Sequence, residues 1–149
     1  MTPKEVVTEF IARCDRAASG GDADPWAVLT DDVRVNLPGK TILSGEYPNK
    51  EIVQNVLVAS VAERITSAKV SISSLVAQGD RVAALVVTTG KTVDGQTYNP
   101  KGEVNGVTFG VKGDQIEEIV LFPDNTMIET VIMDRRYLPP SEPAETPNG

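Results

Sequence analysis

Apolar residues recur along this chain with two different periods, and the change from one to the other divides it. Near the start, Val7, Phe10, Ile11, Cys14 and Ala18 fall on one stripe at helical spacing. Thr2-Pro3-Lys4-Glu5 opens that helix, with Thr2 suited to the N-cap, Pro3 to the first helical position and Glu5 to the capping box. Gly20-Gly21 closes it. Asp24-Pro25-Trp26 repeats the cap-then-proline signal and predicts a short helix over 25–29, with Trp26 covering one end of the core. Thr30-Asp31-Asp32 reads as a turn; its adjacent carboxylates are solvated charges rather than a metal or acid pair. Val33, Val35 and Leu37 alternate with Arg34 and Asn36, the pattern of a short half-buried strand. After a loop over 38–45, Asn49 caps a predicted third helix over 50–64, whose apolar face is Ile52, Val53, Val56, Leu57 and Val61.

From Ser67 onward the period is two. Val70 and Ile72 alternate with Lys69, Ser71 and Ser73, Gly79-Asp80 turns the chain, and 81–89 is a strongly apolar strand. Val93-Asp94-Gly95 carries the Asp-Gly hairpin signal. The stretch 98–124 is one long hairpin. Its first arm, 101–111, sends Val107, Phe109 and Val111 one way and Gly106, Thr108 and Gly110 the other. Lys112-Gly113-Asp114 makes the turn, and 115–122 returns with Ile116, Ile119, Val120, Leu121 and Phe122. A last short helix is predicted over 126–133, and 139–149, rich in Pro and Glu with no apolar anchor, as a disordered tail.

Helices early and antiparallel strands late predict an α+β fold: a cone-shaped, curved, mostly antiparallel sheet wrapped around three N-terminal helices, an α+β roll. The expected organisation is one domain over 1–138 followed by the tail.

Composition narrows the chemistry. The absence of histidine excludes Ser-His-Asp and Cys-His nucleophile systems and histidine metal sites; the single cysteine excludes thiolate metal sites and an intrachain disulfide. No metal and no cofactor is expected. A net charge of −7 disfavours nucleic acid and anionic membrane as partners. No signal segment or spanning apolar run is visible, so a cytoplasmic location is the expectation. A Gly39-Lys40-Thr41 triplet lacks the upstream glycine and following helix of a phosphate loop.

Three stretches together carry a resemblance: the first helix ending in Ser19-Gly20-Gly21-Asp22, the segment Leu29-Thr30-Asp31-Asp32-Val33-Arg34-Val35 leading into the first strand, and Ser44-Gly45 ahead of the helix capped by Asn49. In that order they resemble the cone-shaped family of nuclear transport factor 2, ketosteroid isomerase and the SnoaL-like polyketide cyclases, up to about Arg136. The resemblance implies the α+β cone and a homodimer through the convex sheet face, where Gly106, Thr108 and Gly110 would let a second sheet approach. It does not transfer the known active sites. An ungapped comparison puts the ketosteroid isomerase tyrosine at Phe10, its base at Leu37 and its late-strand aspartate at Asn105. The Asp-Arg-Asp arrangement of limonene epoxide hydrolase is missing from the 83–87 region and from Leu121.

The remaining catalytic candidates are Glu103 as a base near the mouth, Asn105 to polarise a carbonyl or hold a water, and Asp124 as a second carboxylate that also suits a helix cap. Phe10, Leu37, Tyr47, Tyr98, Phe109 and Phe122 are the candidate ligand contacts. The function expected is that of a pocket protein for a small apolar molecule, with a carboxylate-dependent isomerase, cyclase or hydrolase as its catalytic form. The alternative is a non-catalytic ligand-binding or dimerisation module of the same fold. A protein-interaction role on the outer sheet face has no sequence feature in its favour.

Overall fold

A computed structural model describes residues 1–135. The expected tail, 139–149, and the domain boundary at 138 lie outside the described residues.

Helix α1, Pro3–Ala18, forms as its caps dictate, with Thr2 Oγ1 accepting from the Glu5 N–H at 3.2 Å. It buries Val6, Val7 and Ile11 against the sheet. The second predicted helix is a single 3-10 turn, Pro25–Val28, capped by Asp24 Oδ1 on the Trp26 N–H at 2.9 Å. The third lies after two strands and is broken: α2, Lys50–Ile52, then a π-helical stretch, Val53–Val58, then α3, Ala59–Ala62. A single full-length α-helix therefore stands at the N-terminus instead of three. Four residues of 3-10 helix cannot offer a packing stripe, and the 50–62 segment enters the sheet side only after β1 and β2. Near the C-terminus α4, Asn125–Met127, likewise passes into a π-helical stretch, Ile128–Ile132.

The strands are β1, Leu29–Leu37; β2, Gly45–Tyr47; β3, Ile65–Gln78; β4, Arg81–Thr92; β5, Thr97–Tyr98; β6, Val104–Lys112; and β7, Gln115–Phe122. They form one seven-stranded sheet in the order β2-β1-β7-β6-β4-β3, with β5 paired to β4. The 98–124 hairpin is the β6–β7 pair at the middle of that sheet, with Phe109 opposite Ile119 and Gly106 opposite Phe122. Pairing is antiparallel throughout except between β1 and β7, which run parallel. Thr30, Asp31 and Asp32, expected in a turn, belong to β1, where the register to β7 shifts between Leu29 and Arg34. The Asp31 and Asp32 side chains still meet solvent, and Asp31 pairs with Lys50 at 3.4 Å.

Register shifts also occur in β3 and between Gly110 and Val111 of β6. Each extra residue bends its strand and increases its twist, which curls the sheet into a half-barrel. The α+β cone follows, with α1 and the 50–62 segment on its concave side. The long edge strand β3 is protected by α1: Asp15 Oδ1 accepts from the Val70 N–H at 2.9 Å, and Ser19 Oγ donates to the Ala68 carbonyl at 3.3 Å.

Candidate functional site: an apolar cavity in the cone

Between the concave sheet face and the helices lies a cavity of about 630 Å³, within the range of small-molecule sites. Helix α1 supplies Phe10, Ile11, Cys14 and Ala17 to one wall. The 50–62 segment supplies Val53, Leu57 and Val61, four apart on one helical face, with Val58 beside them. The sheet closes the cone with Val35 of β1, Ile119 and Leu121 of β7, Val107 and Phe109 of β6, and Val86 and Thr88 of β4. Phe10 and Phe109 meet edge to face, ring centres 6.1 Å apart, the arrangement favoured by the ring quadrupoles. Trp26 lies in the wall as well as at the end of the core.

The wall's chemistry is defined by what it lacks. Among the described residues Cys14 is the single titratable side chain in it, and burial pushes that thiol up to about 12. A thiol held neutral is a weak donor and a poor nucleophile at neutral pH. No group of Cys, Asp or Glu side chains among the described residues is placed to hold a metal ion.

The sequence candidates disperse. Phe10 and Phe109 stand together in the wall. Asn105 is half-buried and pairs with Val86 across β6–β4, so it shares the cavity-side face, but the β6 part of the wall begins at Val107. Glu103 is exposed ahead of β6, with its backbone N–H and carbonyl both bound by the Asn99 side chain at 3.0 and 2.9 Å. Asp124 caps α4, Oδ1 accepting from the Met127 N–H at 3.1 Å. Leu37 is buried on β1, outside the cavity wall. Tyr47 is buried and donates its hydroxyl to the Leu43 carbonyl, with burial raising its phenol pKa. Tyr98 is buried on β5, its phenol pKa raised first by burial and then by the nearby Asp124 carboxylate. Phe122 stands on the opposite face of the sheet beside Gly106, 51% exposed, rather than in the hollow.

Sequence reasoning did not assign the cavity residues Val35, Leu57, Val58, Val61 and Cys14 to a site. For Val35, Leu57, Val61 and Cys14 the signal was present as helical stripes and strand alternation, but that signal is the same for a filled core and for a hollow one; Val58 stood outside the predicted stripe, and Val56, within it, is 50% exposed because residues 53–58 wind as a π-helix.

No protein-family model matches the sequence, and no curated protein matches it. Solved structures do. An NTF2-like protein of unknown function from Burkholderia pseudomallei superposes with a TM-score of 0.70 at 17% identity, covering 89% of this chain and 98% of its own. The fold of this chain is NTF2-like. A SnoaL-like polyketide cyclase from a Jannaschia species aligns with a TM-score of 0.64 at 18% identity, over 89% of this chain and 94% of that one. A protein from Catenulispora acidiphila with a ketosteroid isomerase-like fold, in complex with trimethylamine, aligns with a TM-score of 0.64 at 13% identity, over 87% and 92%. At these identities the likeness is one of fold, and a shared NTF2-like fold does not carry an activity with it.

Proposed function

We propose that this NTF2-like chain binds a small, mainly apolar molecule in the cone and does not act on it through carboxylates. One observation carries this reading: a cavity of about 630 Å³ whose wall, among the described residues, has no Asp, Glu, Lys or Arg. An ionised group entering such a wall meets no counter-charge, at a cost of several kcal/mol, whereas apolar surface leaving water gains about 25 cal/mol per Å². The trimethylamine complex of the Catenulispora protein supports small-molecule occupancy of this fold. The test uses the neutral fluorophore N-phenyl-1-naphthylamine. Saturable binding at one site per chain is expected, together with its loss in Val107→Trp, where an indole fills the cavity while circular dichroism stays native. Absence of saturable binding to the parent protein overturns the reading.

The catalytic form is favoured by one observation, the placement of Asn105 on the same sheet face as Val86. In that reading Asn105 polarises a carbonyl or epoxide oxygen, and Glu103 or Asp124 moves a proton. Once a convertible compound is in hand, Glu103→Gln removes turnover; full activity in that variant excludes Glu103 as the base.

We also infer self-association through the convex face. Leu85 and Phe122, 44% and 51% exposed, flank Gly106 in one row across β4, β6 and β7, and Val104, 48% exposed, stands beside them. Such a contiguous apolar surface suits a second copy of the same sheet. Light scattering after gel filtration gives a dimer mass for the parent and a monomer mass for Leu85→Lys/Phe122→Lys; a monomeric parent ends the idea.

A further inference from the structure

At the end of the sheet farthest from β2, a second hollow of about 370 Å³ is lined by Lys69, Lys91, Ser67, Thr89 and Thr97, with Ser19 at its rim. Cross-strand pairing explains the cluster. Ser67 lies opposite Lys91, Lys91 opposite Thr97, and Lys69 opposite Thr89, so these side chains rise from one face of three adjacent strands. The Lys91 Nζ donates to Thr97 Oγ1 at 2.6 Å, which fixes one ammonium over the hollow. Among the described residues neither lysine is in an ion pair. Asp15, the carboxylate that reaches this edge, is already engaged by the Val70 N–H. On a chain of net charge −7, this leaves a local cationic concavity that offers two ammonium groups and several hydroxyls to an anion.

The hollow does not stand alone. Ser67 and Ala68 line both it and the apolar cavity. The two spaces lie on opposite faces of β3 and meet across its backbone at the sheet edge, where β3 has no further strand beside it.

We propose that Lys69 and Lys91 hold the anionic head of an amphiphile, a carboxylate or a phosphate ester, whose apolar body occupies the cone and whose chain passes over the β3 edge at Ser67, just short of the point where Ser19 Oγ covers the Ala68 carbonyl. This rests on the cavity reading above and adds the ligand class. A wall with no counter-charge forces any ionised head to stay outside, and the lysine hollow borders the way out. The same chemistry would suit a free small anion, so the test separates the two sources.

Sodium decanoate, 1-decanol and inorganic phosphate compete with N-phenyl-1-naphthylamine at low ionic strength, in the parent and in Lys69→Gln/Lys91→Gln. Decanoate affinity falls about tenfold in the double variant, the scale of two partly exposed charge pairs, while decanol changes by less than about twofold. The decanoate advantage also shrinks on raising the salt, as screened surface charges require. Equal losses for decanoate and decanol, or no loss for either, overturn the proposal and leave the cavity reading standing. Phosphate that binds the lysines by calorimetry without weakening decanoate makes the hollow a separate anion site and equally overturns it. Failure of decanol and the fluorophore to bind at all removes the cavity reading, and this proposal with it.

Discussion

Replacing Phe109 by alanine tests the interior of the cone most directly. The ring is 2% exposed, belongs to a central strand and meets Phe10 edge to face. Truncating a buried phenylalanine costs about 3–5 kcal/mol, of which an aromatic pair accounts for about 0.5–1.5 kcal/mol. The new void opens into the existing cavity, so little collapse can recover that loss. With a urea slope of about 2 kcal/mol per M, the midpoint should fall by about 2 M. Phe122→Ala is the control, because that ring lies half-exposed on the other face. In the Leu85→Lys background, which removes the inferred convex-face contact, it should cost about 1 kcal/mol or less. Phe10→Ala, alone and combined with Phe109→Ala, completes a double-mutant cycle whose coupling should be about 0.5–1.5 kcal/mol. A cost below about 1 kcal/mol for Phe109→Ala, or one no larger than that of Phe122→Ala, would refute the inward orientation of β6 and with it the cavity wall.

Three further outcomes follow from single sites. Gly39 has φ +109°, and a Cβ there would run into the Asn125 side-chain amide, so Gly39→Ala should lower stability by about 1–3 kcal/mol and the melting temperature by several degrees in a thermal scan. Asn99 is buried at φ +51° and bonds the Thr88 carbonyl and both backbone groups of Glu103; Asn99→Ala should cost about 2–3 kcal/mol by urea unfolding. Cys14 should resist iodoacetamide at pH 7.4 in the native protein and react on unfolding. Its folded pKa, about 12, lies above the ordinary thiol value of 9.0. The native state therefore holds the proton more tightly: the associated stability is complete below pH 9 and is lost as pH rises toward 12. Cys14→Ala should lose less stability than the parent between pH 9 and 11, and an identical decline in both would contradict the burial of the thiol.

The sequence by itself determined the caps, the strand periodicity and the α+β class. Caps at Thr2, Asp24, Asn49 and Asp124 are short-range signals, and all four residues accept the backbone N–H bonds their positions imply. Alternation over Val107, Phe109 and Val111 fixed which β6 residues share a face, because the strand period is two whatever the surroundings. Tertiary structure alone decided which face of β7 looks inward. Residues 119–122 are all apolar, so alternation carries no information there; the register with β6 sends Ile119 and Leu121 into the cone and Phe122 out. It also decided the parallel β1–β7 pairing, which joins segments some eighty residues apart through backbone bonds that no local pattern encodes. The hollow is the last such case. An apolar stripe reports that a side chain leaves water, and only the distance between the walls settles whether it meets another side chain or a space that a ligand can fill.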